Sequence, residues 1–396
     1  PSSRTLQIFG DGGLLIRGAG NQNIAHFIQS YVRLYQNQAI RLETKSTGVE
    51  VVGVLTATSI KTPKYDGDAD LNIIMGCNAG IALTDTTTGG CCNVLLGHCS
   101  GQRLCNGSSN VMLGSCAGQN ARFMNDMVAI GREAGRNACC VGGTLVAIGP
   151  FAGKCNDCAD GNTFIGAHAG KYISGSGGDY NFFGGYGAGQ NSCHGCSDSP
   201  TGGACNIALG FHAFGQRAGG SNNVFLGRFA GTANSTGTNN FAANNGALMS
   251  NVSGSKNFAG GYLTLTNNIT GGSNVAIGPA AMRCNISGGS NVAIGQCALG
   301  ENTCGSNNIA LGECAMRCHH TNGSNNFAAG TSALRESEGS HNQVIGHSAG
   351  LCNTSGCYNI AIGQHAGRCN TTGCHNISLG LAAGRERETT SNNISI

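Results

Sequence analysis

The residues Asn274-Val275-Ala276-Ile277-Gly278, continuing to Ala281-Met282, are one copy of the repeat that decides the fold. An asparagine, three mostly apolar residues, a glycine, two variable residues and an alanine recur eighteen times, counted at the glycine from Gly76 to Gly380. Eleven of the seventeen spacings are 17 residues, and this anchor glycine is replaced only at Asn244. A fixed period of this kind indicates stacked units that pack mainly on their neighbours.

The apolar residues of each copy alternate with the period of a β-strand, with Val275 and Ile277 on one face and Ala276 on the other. Seventeen residues accommodate two or three short strands with tight turns. We therefore predict an all-β fold, a β-solenoid or β-roll of about eighteen 17-residue coils. We expect the larger side chains to fill the coil, and the alanine face to permit close approach of a neighbouring layer or subunit.

The strand asparagine, four residues before the anchor, is present in sixteen of the eighteen copies. Its amide can both donate and accept a hydrogen bond along the stacking axis, which predicts an asparagine ladder. Two other glycine-rich repeat folds fit poorly. Calcium-binding rolls need regularly spaced aspartates, and left-handed hexapeptide helices need a six-residue period.

The amino-acid composition excludes several classes of function. Only 10% of the residues are charged and the net charge is +3, which indicates neither a nucleic-acid groove nor a polybasic membrane patch. No apolar stretch is long enough to insert into a bilayer. The eleven histidines have no regular phase, and no Ser/His/Asp or paired-carboxylate grouping stands apart from the repeat. We predict a non-enzymatic protein without a cofactor or metal.

The segment Asn-x-Ala-Ile-Gly-x-x-Ala, found at 274–281, 291–298 and 359–366, resembles the head repeats of trimeric autotransporter adhesins and the β-rolls of phage fibres. The resemblance covers residues 72–396, although those heads have a shorter repeat. It implies a trimeric left-handed roll.

Residues 1–70 lack the repeat and form a predicted N-terminal shaft-like β segment, whereas residues 71–396 form the predicted solenoid. The stretch from Arg41 to Ile60 is similar to shaft segments in tail-fibre and virion-appendage proteins of marine phages and algal viruses. Short strands of this kind bury few apolar side chains alone, which favours three intertwined chains. Lys61 to Asp70 is the predicted joint.

The 22 cysteines favour an oxidising, extracellular location. Several share a column in successive coils, at a spacing of about 4.8 Å that suits a disulfide. Axial disulfides, disulfides that close a loop within one repeat (Cys352 with Cys357, Cys369 with Cys374) and free buried thiols are three alternatives. The candidates are Cys99, Cys116, Cys297, Cys314, Cys352, Cys357, Cys369 and Cys374.

Two CxxC pairs, Cys155/Cys158 and Cys193/Cys196, suggest zinc only weakly, because a zinc site needs four converging ligands. The second pair lies in the longest insertion, at about 190–205. A surface loop stapled by its cysteines is favoured there over a recognition site.

Ten Asn-x-Ser/Thr sequons occur, and six of them lie seven residues after an anchor. We expect these loop asparagines to form an outward column, which would be a glycan stripe in a eukaryotic secretory protein. Good turn-forming residues are the alternative reading. The six are Asn234, Asn251, Asn268, Asn285, Asn353 and Asn370.

Together these features predict a structural fibre or adhesin segment of an extracellular or virion appendage, a homotrimeric rod for host or surface attachment. The expected partners are further copies of the chain and a host receptor or glycan of unknown identity, with no nucleic acid and no membrane insertion. The alternatives are a secreted glycan- or ice-binding solenoid, a cell-surface fibril protein with or without glycans, and an enzyme on a β-helix scaffold.

Overall fold

The computed structural model describes six strands between residues 5 and 51, and residues 72–396 apart from 85–89, 139–142, 158–159, 175–177, 191–202, 216–219, 319–322 and 387. The chain divides into two compact units, Pro1–Asp68 and Ala69–Ile396.

The first unit contains an antiparallel meander, in which each strand pairs with the next along the chain. Short strands are thus present between residues 5 and 51 of the predicted N-terminal β segment, while the three-chain shaft stays a prediction and the joint at 61–70 lies outside the described residues. The strands are β1 (Thr5–Ile8), β2 (Leu14–Arg17), β3 (Asn23–Ile28), β4 (Tyr31–Gln36), β5 (Ala39–Lys45) and β6 (Gly48–Val51).

The described residues of the second unit form short strands, mostly one per repeat, and one 3₁₀ turn at Ile81–Thr84. The strands are β7 (Ile73–Met75), β8 (Val94–Leu96), β9 (Val111–Leu113), β10 (Val128–Ile130), β11 (Leu145–Ile148), β12 (Cys155–Asp157), β13 (Asn162–Ile165), β14 (Tyr172–Ser174), β15 (Phe182–Gly184), β16 (Ile207–Leu209), β17 (Val224–Leu226), β18 (Phe241–Ala243), β19 (Phe258–Gly260), β20 (Val275–Ile277), β21 (Val292–Ile294), β22 (Ile309–Leu311), β23 (Phe327–Ala329), β24 (Gln343–Ile345), β25 (Ile360–Ile362), β26 (Ile377–Leu379) and β27 (Ile394–Ser395).

Nineteen of these strands form one parallel sheet in chain order, and the remaining two, β12 and β14, pair with each other. Pairing is in register, so that Ala276 lies between Ala259 and Ala293. A parallel sheet in which each strand is followed by its nearest neighbour in sequence requires the chain to complete one coil per repeat. The predicted β-solenoid is thus confirmed.

Backbone hydrogen bonds between coils continue beyond the strands. The N–H of Val275 donates to the next coil at Asn291, whereas the N–H of Gly278 donates to the preceding coil at Gly260. At the far corner, the N–H of Ile286 donates to the carbonyl of Thr303. The turns are therefore part of the same stack, which explains how 17 residues with only three in a strand hold a fixed shape.

The expected orientation of the strand faces is wrong. From β8 to β26 the strand residue that faces the interior, such as Ala276, is buried inside the coil, and Val275 and Ile277 point outward; only in β7 is that residue, Ile74, exposed. The coil is narrow, and a second interior row, which includes Ala281 and Met282, already occupies much of its width. A small side chain is therefore needed inside, and the large side chains are left on the outer face.

In most coils two interior columns compensate for each other in size: the middle strand residue and the residue four after the anchor. Four coils have a small residue in both columns. Where the first is phenylalanine, as at Phe164, the second is glycine, as at Gly170; a Cβ at Gly170 would lie 2.5 Å from the ring. Where the first is Ala276, the second is Met282, and both are fully buried. Dense packing of a fixed cross-section accounts for this exchange.

The anchor glycines are required by both conformation and space. Gly295 has a φ of +135°, and a Cβ there would lie 2.5 Å from the carbonyl oxygen of Gly312 in the next coil. Asn244, the one replacement, also has positive φ, at 104°. Asparagine tolerates such a backbone better than other side chains do.

The strand asparagines form the predicted ladder. The side-chain nitrogen of Asn274 donates to the Oδ1 of Asn257 at 3.1 Å, and the backbone N–H of Asn274 donates to the same oxygen at 3.0 Å. The same nitrogen also donates to the carbonyl of Gly288 at 2.9 Å, at the other end of its own coil. Each amide thus closes one coil and joins it to the preceding one.

Candidate functional site

The loop asparagines form a second buried ladder. The side-chain nitrogen of Asn268 donates to the Oδ1 of Asn251 at 2.7 Å and to the carbonyl of Gly271 at 2.9 Å, and Asn285 repeats the arrangement on Asn268. Asn302 extends it by a further coil. A buried amide whose hydrogen bonds are satisfied in this way stabilises the stack.

The prediction that these six residues point outward is therefore wrong. Their side chains are 6% exposed or less, and each amide nitrogen donates to the carbonyl of the glycine three residues later: Asn234, Asn251, Asn268, Asn285, Asn353 and Asn370. A glycan on that nitrogen would remove a donor and has no space in the folded coil. Turn chemistry and axial bonding account for these asparagines.

The eight candidate disulfide cysteines are not paired. The structure forms no disulfide at any of them: Cys99, Cys116, Cys297, Cys314, Cys352, Cys357, Cys369 and Cys374. Side chains stacked in register in a parallel array extend in the same direction instead of toward each other, whereas a disulfide needs converging Cβ–S vectors. A suitable Cα spacing alone was an insufficient criterion.

Two of these thiols accept hydrogen bonds from backbone N–H groups of the preceding coil. The backbone N–H of Ser340 donates to the sulfur of Cys357 at 3.3 Å, and the N–H of Cys357 donates to the sulfur of Cys374 at 3.2 Å. In nearby coils the equivalent acceptor is a serine hydroxyl, as when Ser324 donates to Ser340 and Cys374 donates to Ser391. Cys357 and Cys374 thus replace serine in an acceptor column.

Burial also makes two of the thiols less reactive. It raises the pKa of Cys314, with a further contribution from the stacked Cys297. Burial likewise raises the pKa of Cys352, with Glu336 and Cys369 adding to the effect. A raised pKa lowers the thiolate fraction, and the thiolate is the species that attacks in disulfide formation.

The described part of the chain contains no group of three or more His, Cys, Asp or Glu side chains placed to hold a metal ion. Cys155 is described and its thiol is free, but Cys158, Cys193 and Cys196 lie outside the described residues, as does most of the 190–205 insertion. Within the same described residues, no helix has the length and apolar character needed to cross a bilayer.

The most extensive candidate site is the outer face of the nineteen-stranded sheet, which we call the outer sheet face. It consists of the two residues that flank the inward-facing strand residue, as Val275 and Ile277 flank Ala276. Both columns are apolar from Ile73 to Ile394 except at Thr163 and Gln343, and neither contains a charged residue. Among its members Ile277, Ile294 and Ile345 are about 40% exposed.

The size of this face exceeds that of an ordinary surface patch. Nineteen strands at about 4.8 Å spacing extend roughly 86 Å, and two outward columns with their side chains are about 10 Å wide. The product is about 860 Å² of nearly continuous apolar surface, whereas exposed apolar patches of monomers rarely exceed a few hundred Å². Sequence reasoning missed this site because it assigned these side chains to the interior.

Comparison with known proteins adds no identity. No family model, no curated protein and no solved structure matches the chain.

Proposed function

We propose that the chain is a structural fibre segment whose outer sheet face is covered by further copies of the same chain, giving a homotrimeric rod in an extracellular or virion appendage. The observation that carries this proposal is the uncharged, apolar outer face along the whole solenoid.

A second copy is the occupant that suits this face best. Its area of about 860 Å² is close to the roughly 800 Å² that each partner buries in a standard stable interface. The face repeats at every strand over nineteen strands, so a partner that covers it without gaps has the same axial repeat. Another copy of this solenoid has that repeat by construction, and neither surface carries a charge that association would desolvate.

The number three comes from the resemblance to adhesin heads and phage-fibre rolls. The placement outside the cell comes from that resemblance and from the 22 cysteines. A role in attachment to a host or surface follows from the same resemblance. Repetition supports the structural part independently, because each added coil lengthens the solenoid without a new fold.

The test is the mass of the full chain in solution, measured by sedimentation equilibrium. The proposal predicts three times 40.0 kDa for the wild-type chain. The double substitution Ile277→Lys and Ile294→Lys, on the outer sheet face, should shift the species toward the monomer, because it buries charge in the interface.

A matched control exists on the same and the adjacent coil. Ile269 and Ile286 are as exposed as Ile277 and Ile294, at 40–41% against 39–41%, but lie in the loops and not in the strands. Ile269→Lys with Ile286→Lys should leave the mass unchanged. A monomeric wild-type chain would refute the proposal. Equal effects of the two double substitutions would show that the outer sheet face is not the interface.

A further inference from the structure

One stretch of the solenoid carries an unusual aromatic cluster, which we call the aromatic strip. Its rings occupy the two positions after the anchor in five successive coils and span four coil spacings, or about 19 Å. They are Phe151, His168, Tyr186, Phe211, His212 and Phe229. In the regular coils that follow, the same positions carry residues such as Pro279, Ala280 and Gln296.

The rings contact each other in an unbroken series. Phe151 stacks on His168 with centroids 5.0 Å apart, and His168 meets Tyr186 edge-on at 5.5 Å. Tyr186 stacks on Phe211 at 5.6 Å, and Phe211 meets Phe229 edge-on at the same distance. Tyr186 and Phe211 remain 49% and 43% exposed, so the series lies on the surface.

Cations flank both ends of the strip. The Arg132 guanidinium lies 4.6 Å from the centre of the Phe151 ring, with the ammonium groups of Lys154 and Lys171 at 5.3 and 5.5 Å. At the other end, Arg228 lies 4.7 Å from the Phe229 ring and 5.7 Å from the Phe211 ring. Ring faces attract cations, which holds these side chains against the strip.

Among the described residues, the charges beside the strip are mostly positive. Glu133 is the carboxylate that meets these cations, and it pairs with Lys154 at 2.7 Å and Arg136 at 3.1 Å. Arg132, Lys171 and Arg228 are left beside the rings without a carboxylate partner in the described ion pairs. Burial lowers the pKa of His168, and the charges of Lys171 and Arg132 lower it further, as a positive local potential requires.

We propose that the aromatic strip binds an acidic polysaccharide, a linear chain bearing carboxylate or sulfate groups, along the solenoid axis. The positively polarised ring edges and the flanking cations attract the anionic groups, and this attraction does not need free ring faces. This inference goes beyond the fibre role and does not depend on trimer formation.

The geometry favours a polysaccharide over a nucleic acid. Proteins that bind single-stranded nucleic acid leave aromatic faces free for bases to stack on. Here Phe151 and His168, and Tyr186 and Phe211, stack on each other, and the cations cover faces of Phe151 and Phe229. The chain also has a net charge of only +3, without the extended basic groove that many phosphate contacts need.

The experiment measures binding of fluorescein-labelled dextran sulfate to the full chain by fluorescence anisotropy at fixed salt, with uncharged dextran of equal length as the reference. The wild-type chain should bind the sulfated polymer only. Arg132→Gln with Arg228→Gln should weaken binding about tenfold, and Tyr186→Ala should weaken it about threefold. Thermal unfolding of each variant confirms that the fold is retained.

Matched controls separate the strip from net charge and from exposed aromatics in general. Tyr262 occupies the same repeat position as Tyr186 with similar exposure, 52%, and no ring pairing is seen for it among the described residues. Tyr262→Ala, and Arg283→Gln with Arg385→Gln, should leave binding unchanged. Equal losses in the control variants, or no loss with Tyr186→Ala, would overturn the proposal. Equally tight and strip-dependent binding of a thymidine oligonucleotide would also overturn it, in favour of a nucleic-acid ligand.

Discussion

The early coils, from Leu95 to Phe225, and the late coils, from Ala242 to Met316, fill the same cross-section in different ways. Early coils mostly place a large residue in the middle of the strand and glycine opposite, as with Met112 and Gly118. Late coils place alanine in the strand and leucine or methionine opposite. The in-register backbone pairing is common to both, so the contour of the coil is independent of which side fills it.

The loop corner differs in the same way. Three early coils place the buried apolar residues Leu104, Ala121 and Ala138 where late coils place the loop asparagines. An apolar side chain at this position needs no hydrogen-bond partner. A buried asparagine needs partners for its amide, and the asparagines of the neighbouring coils supply them. The more regular spacing of the late coils accompanies this requirement: every anchor from Gly210 to Gly312 follows its predecessor by 17 residues, apart from the insertion that precedes Gly210.

The largest expected effect on stability comes from removing a large interior side chain of an early coil. Phe225 is fully buried and faces Gly231, whose added Cβ would collide with the ring. Phe225→Ala should lower the free energy of unfolding by about 3–5 kcal/mol, because it leaves a cavity that the rigid stack cannot close. Denaturant titration of the full chain measures the loss.

Adding Gly231→Leu to that variant converts the coil to the late type, copying Ala242 and Leu248 in the next coil. Most of the lost stability should return, although Gly231→Leu alone should be destabilising. Additive effects of the two substitutions would show that the columns do not compensate, and would remove the explanation given for the difference between the regions.

A smaller effect is expected from breaking the amide corner of a late coil. Asn268→Ala removes the bonds to Asn251 and Gly271 and leaves a donor of Asn285 without its acceptor. The cost should be about 2–3 kcal/mol, because buried polar groups remain unpaired. Hydrogen exchange of the amides around 251–286 should accelerate accordingly.

The adjacent Asn267 is exposed and serves as the control. Asn267→Ala should change the stability by no more than about 0.5 kcal/mol. Similar exchange rates for the two variants would mean that the loop ladder contributes no stability and that the amide and apolar corners are equivalent.

The smallest effect is electrostatic and belongs to the early coils. The hydrogen bond from Lys154 lowers the pKa of Glu133, burial opposes the shift, and Arg136 lowers it further. Since the pKa is lower in the folded chain than in the unfolded chain, the ion pairs stabilise the fold above the unfolded value, and this stability is lost as the pH falls through the folded value.

The expected contribution is about 0.5 kcal/mol, because the pair is partly solvated. Unfolding midpoints of the wild-type chain and of Glu133→Gln should therefore differ at neutral pH and converge in acid. A constant difference across that range would contradict the assignment to Glu133.

The period, the anchor glycines and the ladder of Asn257 and Asn274 were predictable from sequence, because each depends on a residue type with one dominant structural use. The sequence did not show which face of each strand lies inside the coil and which lies outside. In Val275-Ala276-Ile277 both faces are apolar, and hydrophobicity alone does not show which face meets solvent. The exchange between Phe164/Gly170 and Ala276/Met282 was a usable signal, since only facing interior residues need to compensate in volume.

The loop asparagines were misassigned for a related reason. Asn268-Ile269-Thr270 matches both a sequon and a tight turn, and the local pattern contains nothing about the amide one coil away. The spacing of the cysteines was also insufficient evidence for disulfides, because it gives the separation of the residues along the stack but not the direction of their side chains. A better indication of the role of these cysteines was that they share one column with serines: Ser340, Cys357, Cys374 and Ser391.

Electron cryomicroscopy of the full chain tests the continuous stack most directly, through the density of residues 72–396. We predict strands that succeed each other at about 4.7–4.9 Å along one axis, with alanine in the interior of the late coils and Val275, Ile277 and their equivalents outside. Separate globules, helices, or a strand order that departs from chain order would contradict the account.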